Sequence, residues 1–387
     1  NDFMEICASC QHIGCDVHRH ESPCQCNPNC RLMNNCCDDY EDTCNSHTFT
    51  ECPIPSNPGD DRREDKTKLK IMNYNLDWLF LDGRHSMGTA ICPGDNCRWK
   101  NTSIAAEHLR VLADYLNEFD ADILLFQEVC DCWTLQRLIS LFPRAKQHLY
   151  KPYLLAGTDT RTGQNVAMIS KIDPIKPLNR SDQFWKYPIP NSNCEWNHNP
   201  GDYIDVDKHF QASFKIDGID KPVSVFNIHL VPDPKIPEQC SKREAQAMIL
   251  ANMIKNSINL GEYIIITGDY NDYSDQIPDC NNNYPKSEVT QIIRDSGDLL
   301  NVAFRISEQD DRYTYWYNIY DDCLDTPGKD RSMVDQFLIS QQLYDYLSTI
   351  NIDHSYKNGC DCLYSNHWPI IVDFDINIKS KNVSKNT

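Results

Sequence analysis

The sequence predicts an α+β protein in which a four-layer α/β/β/α sandwich follows a small disulfide-rich knot. Ten of its 20 cysteines lie within the first 52 residues, and the other ten are spread over the rest of the 387-residue chain. From Lys68 onward, apolar runs of strand length alternate with helical patterns and then follow one another directly, which is typical of two packed sheets flanked by helices. We therefore expect a module at 1–53, a linker at 54–67, a large domain at 68–376 and a polar tail at 377–387.

Strands and helices of the large domain are predicted from the period of their apolar residues. Short apolar or alternating runs predict strands at Lys68–Asn75, Asp122–Glu128, Val166–Ser170, Val223–His229, Tyr263–Thr267, Val334–Ile339 and Ile370–Phe374. Two longer segments, Ser103–Phe119 and Cys240–Ile258, have apolar residues at helical spacing. No apolar run approaches about 18 residues, so we expect no transmembrane segment.

Cysteine content indicates a secreted protein. An even number of cysteines at this density favours full pairing in an oxidising compartment. Three Asn-x-Ser/Thr sequons, at Asn101, Asn179 and Asn382, predict glycosylation and fit the same route. The chain begins at Asn1 without methionine, which favours a mature chain after removal of a signal peptide; a boundary chosen for expression is the alternative.

Charge limits the ways in which this protein can bind its partners. The formal net charge is −19, which argues against a broad basic surface for nucleic acid. A nuclease remains compatible with this charge, because a metal ion and a local groove of cations can offset the repulsion from phosphate.

The N-terminal module has a cysteine spacing of its own. A piece this small buries little apolar surface, so disulfides would carry its stability. The run Cys36-Cys37-Asp38-Asp39-Tyr40 ahead of Cys44 resembles the somatomedin B domain, and this resemblance implies an extracellular protein partner for residues 1–53. Cys7 and Cys52 flank the usual eight cysteines, and pairing between them would close the module. A zinc site is the competing interpretation, because four histidines lie nearby: His12, His18, His20 and His47.

The segment that follows the module is rich in proline and charge. Pro53, Pro55 and Pro58 precede the charged run 60–66, and this composition is typical of a linker. An ordered loop packed on the large domain is the other interpretation that the sequence allows.

Polar residues recur at the ends of the predicted strands of the large domain. Phosphodiester hydrolysis requires a divalent cation bound by oxygen ligands, a base that activates water and a group that stabilises the leaving oxygen. A single Asp or Asn at a strand end could be a turn former, and a single histidine could be structural. Their coordinated placement favours a catalytic site formed by Asn75, Glu128, His229, Asp269, Asn271, Asp335 and His367.

Three motifs in a fixed order carry a family resemblance. They are Gln127-Glu128, Gly268-Asp269-Tyr270-Asn271 and Ser365-Asn366-His367-Trp368-Pro369. Together they resemble the endonuclease/exonuclease/phosphatase superfamily, which includes pancreatic deoxyribonuclease, abasic-site endonucleases, neutral sphingomyelinases and inositol polyphosphate 5-phosphatases. The resemblance covers roughly residues 68–376 and implies the deoxyribonuclease I-like fold.

The resemblance implies a metal and phosphate site. Glu128 would be the main ligand of Mg²⁺, with Asn75 beside it, and Mn²⁺ or Ca²⁺ are alternative ions. Asp269 and Asn271 would orient the scissile phosphate and the attacking water.

It also implies an acid–base pair. His367, held by Asp335, would be one half of this pair, and His229 would be the other. An oriented carboxylate fixes the tautomer of a histidine and raises its basicity. Trp316 would help to position the substrate.

Two residues depart from the family pattern. Asn366 occupies a position that is usually Asp, and Gln164 occupies a position where deoxyribonucleases have Glu beside the histidine matched by His229. Both residues would still contact the substrate region. We expect activity to survive, with a cost of about one to two kcal/mol for each change.

Three functions fit these residues. The first is a secreted, metal-dependent endonuclease acting on DNA or also on RNA. The second keeps the chemistry but acts on phospholipid or sphingomyelin headgroups. The third is an adhesion or structural protein that uses the fold as a scaffold, and the retained strand-end histidines argue against it.

Several cysteines lie close to the predicted site. Cys130 and Cys132 follow Glu128, and Cys360 and Cys362 precede His367. We expect them to brace the rim of the site as disulfides, as Cys92 and Cys97 would brace a short loop.

Overall fold

A computed structural model describes residues 24, 36–37, 51–52, 54, 57–81, 99, 102–159, 162–196 and 202–377. The chain divides into two compact units, Asn1–Phe49 and Thr50–Thr387. Cys24 and Cys37 of the first unit form a disulfide, and Cys36 is also disulfide-bonded, so these three cysteines are not zinc ligands. Five predicted features lie outside the described residues: Cys7 with the four N-terminal histidines, the Cys92–Cys97 loop, Asn101, Asn382 and the tail after residue 377.

Fifteen β strands, numbered along the chain, occur in the described part of the second unit. The first sheet contains β1 (Lys68–Leu79), β2 (Ile123–Val129), β3 (Lys151–Leu154), β4 (Asn165–Ser170), β14 (Leu347–Ile352) and β15 (Ile370–Asp375), in the order β14-β15-β1-β2-β4-β3. The second sheet contains β7 (His209–Phe214), β8 (Val223–His229), β9 (Tyr263–Asp269), β10 (Leu299–Asn301) and β13 (Asp335–Ser340), in the order β10-β13-β9-β8-β7. Two short ribbons pair β5 (Trp185–Lys186) with β6 (Tyr203–Ile204) and β11 (Tyr315–Trp316) with β12 (Arg331–Ser332).

Helices flank the two sheets. They are α1 (Thr102–Phe119), α2 (Cys132–Ser140), α3 (Arg144–Gln147), α4 (Pro237–Asn259), α5 (Val289–Asp295) and α6 (Gln341–Tyr344), with 3₁₀ turns at Val302–Arg305 and Gln309–Asp311. Local chemistry sets their starts: the Asp131 carboxylate accepts the N–H of Thr134 at the beginning of α2, and Pro237 opens α4, where it costs no hydrogen bond. Among the helices that the structure describes, none is both long and apolar enough to cross a bilayer.

The sheets pack face to face and bury apolar residues on both sides. In β9, Ile265 points into the core between the sheets, whereas Ile264 and Ile266 point outward against Ile249 and Leu250 of α4. Alternate residues of one strand therefore pack against the opposite sheet and against a helix, which explains why these strands are apolar throughout. The core of the first sheet extends to α1 on its outer side. This arrangement confirms the predicted four-layer sandwich.

Every predicted strand and helix of the large domain is present, most of them with different ends. β1 continues past Asn75 to Leu79, and α4 begins at Pro237, ahead of the predicted Cys240. The elements that were not predicted are short or lie in segments of mixed polarity: β3, β5, β6, β7, β10, β11, β12, β14, α2, α3, α5 and α6.

Residues 57–67, expected as linker, lie against the second unit. Asp61 forms a β bridge with Ile172, and the Arg62 guanidinium lies 2.6 Å from the buried Asp173 carboxylate. The ordered-loop interpretation therefore describes this stretch.

Disulfides connect segments that are distant in the chain. Cys52 pairs with Cys132, so its suggested pairing with Cys7 is wrong. Cys360 pairs with Cys323, which links the loop after β11 to the segment ahead of His367. A further disulfide, Cys194–Cys240, fixes the start of α4. Cys132 and Cys360 therefore brace the protein through distant partners.

Candidate active site

Three strands of the second sheet place three polar residues in one row. His229 of β8 is paired with Asp269 of β9, and Asp269 is paired with Asp335 of β13. All three are buried. Gly268 permits this close approach of the strands, because it has φ 144° and a Cβ there would lie 1.9 Å from the Ile228 carbonyl oxygen.

Irregular strand ends in the first sheet redirect its polar residues. The pairing of β1 with β2 shifts after Asn75, and that of β2 with β4 shifts between Phe126 and Val129, on either side of Glu128. Glu128 has φ 62° and Asp77 has φ 50°, values that residues other than glycine rarely adopt. Such bulges turn a side chain away from the direction that regular alternation would give it.

Asn75 connects the carboxylates of the two sheets. Its Nδ2 atom donates to Oε1 of Glu128 at 3.2 Å and to Oδ2 of Asp269 at 3.1 Å. Its Oδ1 atom accepts the N–H of Asp77 at 3.0 Å, and Oε2 of Glu128 accepts the N–H of Trp78 at 3.0 Å. The amide of Asn75 therefore holds Glu128 and Asp269 in one cluster.

A buried amide network joins the two sheets. The Gln127 side chain donates to Oδ1 of Asn73 at 2.9 Å and to Oδ1 of Asn227, in the opposite sheet, at 2.6 Å. The Asn227 amide in turn donates to the carbonyl oxygens of Phe126 and Ala167. Because buried polar groups need directed partners, this network fixes the position of one sheet relative to the other.

His367 is held from several directions. Its Nδ1 atom lies 2.8 Å from Oδ2 of Asp335, and its backbone N–H donates to Oγ of Ser365 at 2.9 Å. Ser365 itself donates to the Asn75 carbonyl oxygen at 2.6 Å, and Tyr315 forms a β bridge with His367. These contacts leave Nε2 facing Asp269, 3.8 Å from its Oδ2 atom.

Asp335 sets the charge of His367. Burial disfavours the imidazolium, but the charge and hydrogen bond of Asp335 outweigh it and raise the pKa of His367 to about 9. His367 is therefore a cation at neutral pH.

His229 has the opposite electrostatic character. Its Nε2 atom lies 3.6 Å from Oδ2 of Asp269 and 3.9 Å from Oε1 of Glu128. Burial, with the nearby charge of Lys208, lowers the pKa of His229 well below its usual range. Its Nδ1 atom is buried and has no hydrogen-bond partner among the described residues. Gln164, which is buried just ahead of β4, therefore does not form the predicted hydrogen bond to it.

Two carboxyl groups of the site have raised pKa values. Burial and the charge of Asp77 raise the pKa of Glu128 to about 7. Burial and the charge of Asp335 raise the pKa of Asp269 to about 6. Glu128 keeps 15% of its side chain exposed, against 3% for Asp269, so the cluster opens to solvent on the side of Glu128.

The remaining predicted residues lie around this cluster. Asn271 donates from its backbone N–H to Oδ1 of Asp269 at 2.8 Å and from its amide to the Leu230 carbonyl at 3.0 Å. The carbonyl oxygen of the half-buried Asn366 accepts the N–H of Trp316 at 2.8 Å. The Trp316 indole is buried and donates to the loop after β11, so its contribution is to the rim of the site.

Two features of the site were missed from the sequence. Asp77 lies two residues past Asn75 on the irregular end of β1, where only the carboxylate itself was a signal. Arg243 of α4 is fully buried: it contacts Asp272 at 3.0 Å and donates to the carbonyl oxygens of Val231 and Pro232. It thereby ties the loops that follow His229 and Asp269.

Of the three predicted glycosylation sites, only Asn179 lies among the described residues. Asn179 is exposed, and its amide donates to Oε1 of Gln211 at 3.3 Å. Its modification stays a prediction.

Comparison with family models decides the family of the second unit. Residues 96–331 match the model described as the Endonuclease/Exonuclease/phosphatase family, which is more than half of the chain. The chain belongs to this family. A second match, to the somatomedin B domain, covers residues 8–47 and confirms the resemblance of the N-terminal module.

Several solved structures are similar to this chain. An AP endonuclease from Archaeoglobus fulgidus is 17% identical with a TM-score of 0.49, covering 79% of this chain and 99% of its own. TDP2 from Caenorhabditis elegans is 16% identical with a TM-score of 0.46, covering 80% and 75%. The 3′ phosphatase NExo from Neisseria is 16% identical with a TM-score of 0.47, covering 79% and 99%. No curated protein matches the sequence.

Enzymes of the endonuclease/exonuclease/phosphatase family are typically hydrolases of phosphodiesters or phosphate esters and generally use divalent metals. The residues present fit such an ion. Glu128 and Asp269, both held by the Asn75 amide, supply carboxylate oxygens, the ligands that hard cations prefer. Burial, with the charge of Asp77 for Glu128 and of Asp335 for Asp269, raises the pKa of both carboxyls. Atoms of Asp269, Asp335 and His367 also lie within 4.8 Å of one another, so this group of described residues could hold an ion as well.

Proposed function

We propose that this protein is a secreted, divalent-metal-dependent phosphodiesterase, an endonuclease that hydrolyses DNA, with RNA as an alternative substrate. One observation carries the proposal: two histidines with opposite pKa shifts face the same atom, Oδ2 of Asp269, at 3.6 Å (His229) and 3.8 Å (His367). Pairs of titratable groups whose surroundings push their pKa values apart are suited to act as base and acid.

The roles follow from these charges. His229 is neutral and can accept a proton at Nε2 from the attacking water. His367 is a cation that can donate from Nε2 to the phosphate or to the leaving oxygen, while Asp335 holds its ring and its charge. Asp269 and Asn271 orient the phosphate and water between the two rings.

The metal would be Mg²⁺, with Mn²⁺ or Ca²⁺ as alternatives, held by Glu128 with Asn75 beside it. When bound, such an ion neutralises developing negative charge on the phosphate. Asn75 donates from Nδ2 to Oε1 of Glu128 and would hold this carboxylate in place for the ion. The match to Mg²⁺ or Mn²⁺ rests on the all-oxygen ligand set.

Secretion is supported by the somatomedin B match and by the disulfides of the described residues. We infer that residues 1–53 bind an extracellular protein partner. The full cysteine pairing that the even count predicts does not hold among the described residues, because Cys280 is a free cysteine.

A substrate panel tests the proposed function. Purified protein is incubated with supercoiled plasmid, with RNA and with sphingomyelin vesicles, each with Mg²⁺ and with a chelator. We expect plasmid nicking that the chelator abolishes and no release of phosphocholine. Release of phosphocholine without nicking of plasmid would instead support a lipid phosphodiesterase. No reaction with any of the three substrates, together with no binding of Mn²⁺, would support a scaffold.

A further inference from the structure

A row of aromatic rings leads from the acid–base site to solvent. The Tyr315 ring lies 4.7 Å from that of His367, and the Tyr317 ring stacks on Tyr315 at 6.4 Å with 27° between the planes. Tyr317 is 59% exposed, so this row ends in an aromatic face that is open to a ligand.

The backbone around Tyr317 is held in place. Tyr315 pairs with Ser332 in the ribbon β11-β12, and the N–H of Tyr317 donates to the Asp330 carbonyl at 2.8 Å. The disulfide Cys323–Cys360 then ties the loop that follows to the segment ahead of His367. An exposed ring on a fixed backbone loses little conformational entropy when a ligand stacks on it.

Tyr320 in the same loop provides a comparison. It is 58% exposed, almost as much as Tyr317, but the ammonium group of Lys329 lies 5.2 Å from its ring centre. It has no ring contact with Tyr315 or His367 among the described pairs. Of these two tyrosines, only Tyr317 continues the aromatic row from the site.

The surrounding charge favours stacking over phosphate contacts. The chain carries a net charge of −19, and the exposed residues Asp321 and Asp322 lie in the same loop. A surface of this charge gains little from the phosphates of a long duplex. Aromatic stacking, in contrast, needs a base with an open face, which single strands offer and a continuous duplex does not.

We propose that Tyr317 stacks an unpaired nucleobase next to the scissile phosphate, which makes single-stranded nucleic acid the preferred substrate. This inference rests on the proposed nuclease function. Tyr317 is a substrate-binding residue here, and the acid–base groups do not depend on it.

Steady-state kinetics on a short single-stranded DNA oligonucleotide test the inference. Tyr317→Ala should raise KM about tenfold, equivalent to about 1.4 kcal/mol, with kcat little changed, because stacking acts before and during the reaction. Tyr317→Phe should restore the wild-type KM, and Tyr320→Ala should leave it unchanged. On an oligonucleotide of the same length without bases, Tyr317→Ala and wild type should be equal.

Binding measurements separate the failure of this inference from that of the proposed function. Fluorescence anisotropy of the labelled oligonucleotide in chelator should show weaker binding for Tyr317→Ala, even if wild type cleaves no nucleic acid and the nuclease proposal falls. Cleavage with an equal KM for Tyr317→Ala and wild type would overturn the stacking role and leave the nuclease proposal standing. A Tyr317 requirement for binding phosphatidylcholine vesicles, but not the oligonucleotide, would also overturn it, in favour of a lipid surface.

Discussion

The Nδ1 atom of His367 lies 2.8 Å from Oδ2 of Asp335, although the two residues are 32 positions apart in the chain. β13 brings Asp335 beside Asp269, and the segment ahead of β15 brings His367 over the same row. The contact joins a strand-end carboxylate and a loop histidine in one ion pair. The pH dependence of the proposed reaction should therefore depend on Asp335.

Removing the charge of Asp335 should shift the alkaline limb of the pH–activity profile to lower pH. The pKa of His367 is raised to about 9, so His367 is protonated at neutral pH and loses its proton only at higher pH. Asp335→Asn removes the main group that raises this pKa, and the alkaline limb of kcat/KM should shift to lower pH. The pH–rate profile and an NMR titration of the His367 ring measure the shift, and an unchanged limb would exclude His367 as the acid.

Ion binding should depend on Glu128. Glu128→Gln removes the carboxylate with the most solvent access in the cluster, so affinity for Mn²⁺ should fall by at least about tenfold. Glu64→Gln is the matched control, because Glu64 is exposed and contacts none of the site residues. Isothermal titration calorimetry with Mn²⁺ compares the three proteins. Equal affinities would place the ion elsewhere.

The buried Arg243 should contribute to stability more than any exposed arginine of the same charge. Arg243→Leu leaves Asp272 buried without its cation and should cost about 3–5 kcal/mol of unfolding free energy. Arg110→Leu, which breaks exposed pairs with Glu107 and Asp114 on α1, should change stability little, because solvent screens exposed ion pairs. Urea denaturation measures both variants. Recovery of part of the loss by adding Asp272→Asn to Arg243→Leu would identify the unpaired charge as the cause.

His209 should make the fold less stable in acid. Its Nδ1 atom donates to the Val206 carbonyl, its Nε2 atom accepts the N–H of Ser181, and burial lowers its pKa to about 4. Because the folded state resists a proton that the unfolded state binds, stability present above about pH 6.5 is lost as pH falls toward 4, by about 3 kcal/mol.

Denaturation between pH 4 and 7 checks this sign. The stability gap between wild type and His209→Gln should narrow as pH falls, since the variant lacks the titrating ring. His148→Gln, at an exposed histidine, serves as the control. A gap for His209→Gln that widens in acid would mean that the folded state accepts the proton.

Much of the site was predictable because it lies where apolar strands end. His229, Asp269 and Glu128 follow strands whose residues are buried on both faces, and a continuous apolar run is a strong signal. The order of the motifs then identified the family, which the match over residues 96–331 confirms.

The rest depended on information that is not local. The turned conformations of Asp77 and Glu128 arise from bulges in strand pairing, and no periodicity in the sequence marks them. The pairing of Cys52 with Cys132 bridges 80 residues and follows from the packing of distant segments. The unpartnered Nδ1 of His229 likewise required coordinates, since the sequence placed Gln164 beside it.

Single-turnover nicking of supercoiled plasmid in Mg²⁺ tests the central claim most directly, because it reports the chemical step of wild type, His229→Ala, His367→Ala and the exposed control His148→Ala. We predict that wild type and His148→Ala nick at equal rates, and that each of the other two loses about 10²- to 10⁴-fold in rate while remaining folded. Nicking by His229→Ala and His367→Ala at the wild-type rate would contradict the acid–base roles around Asp269.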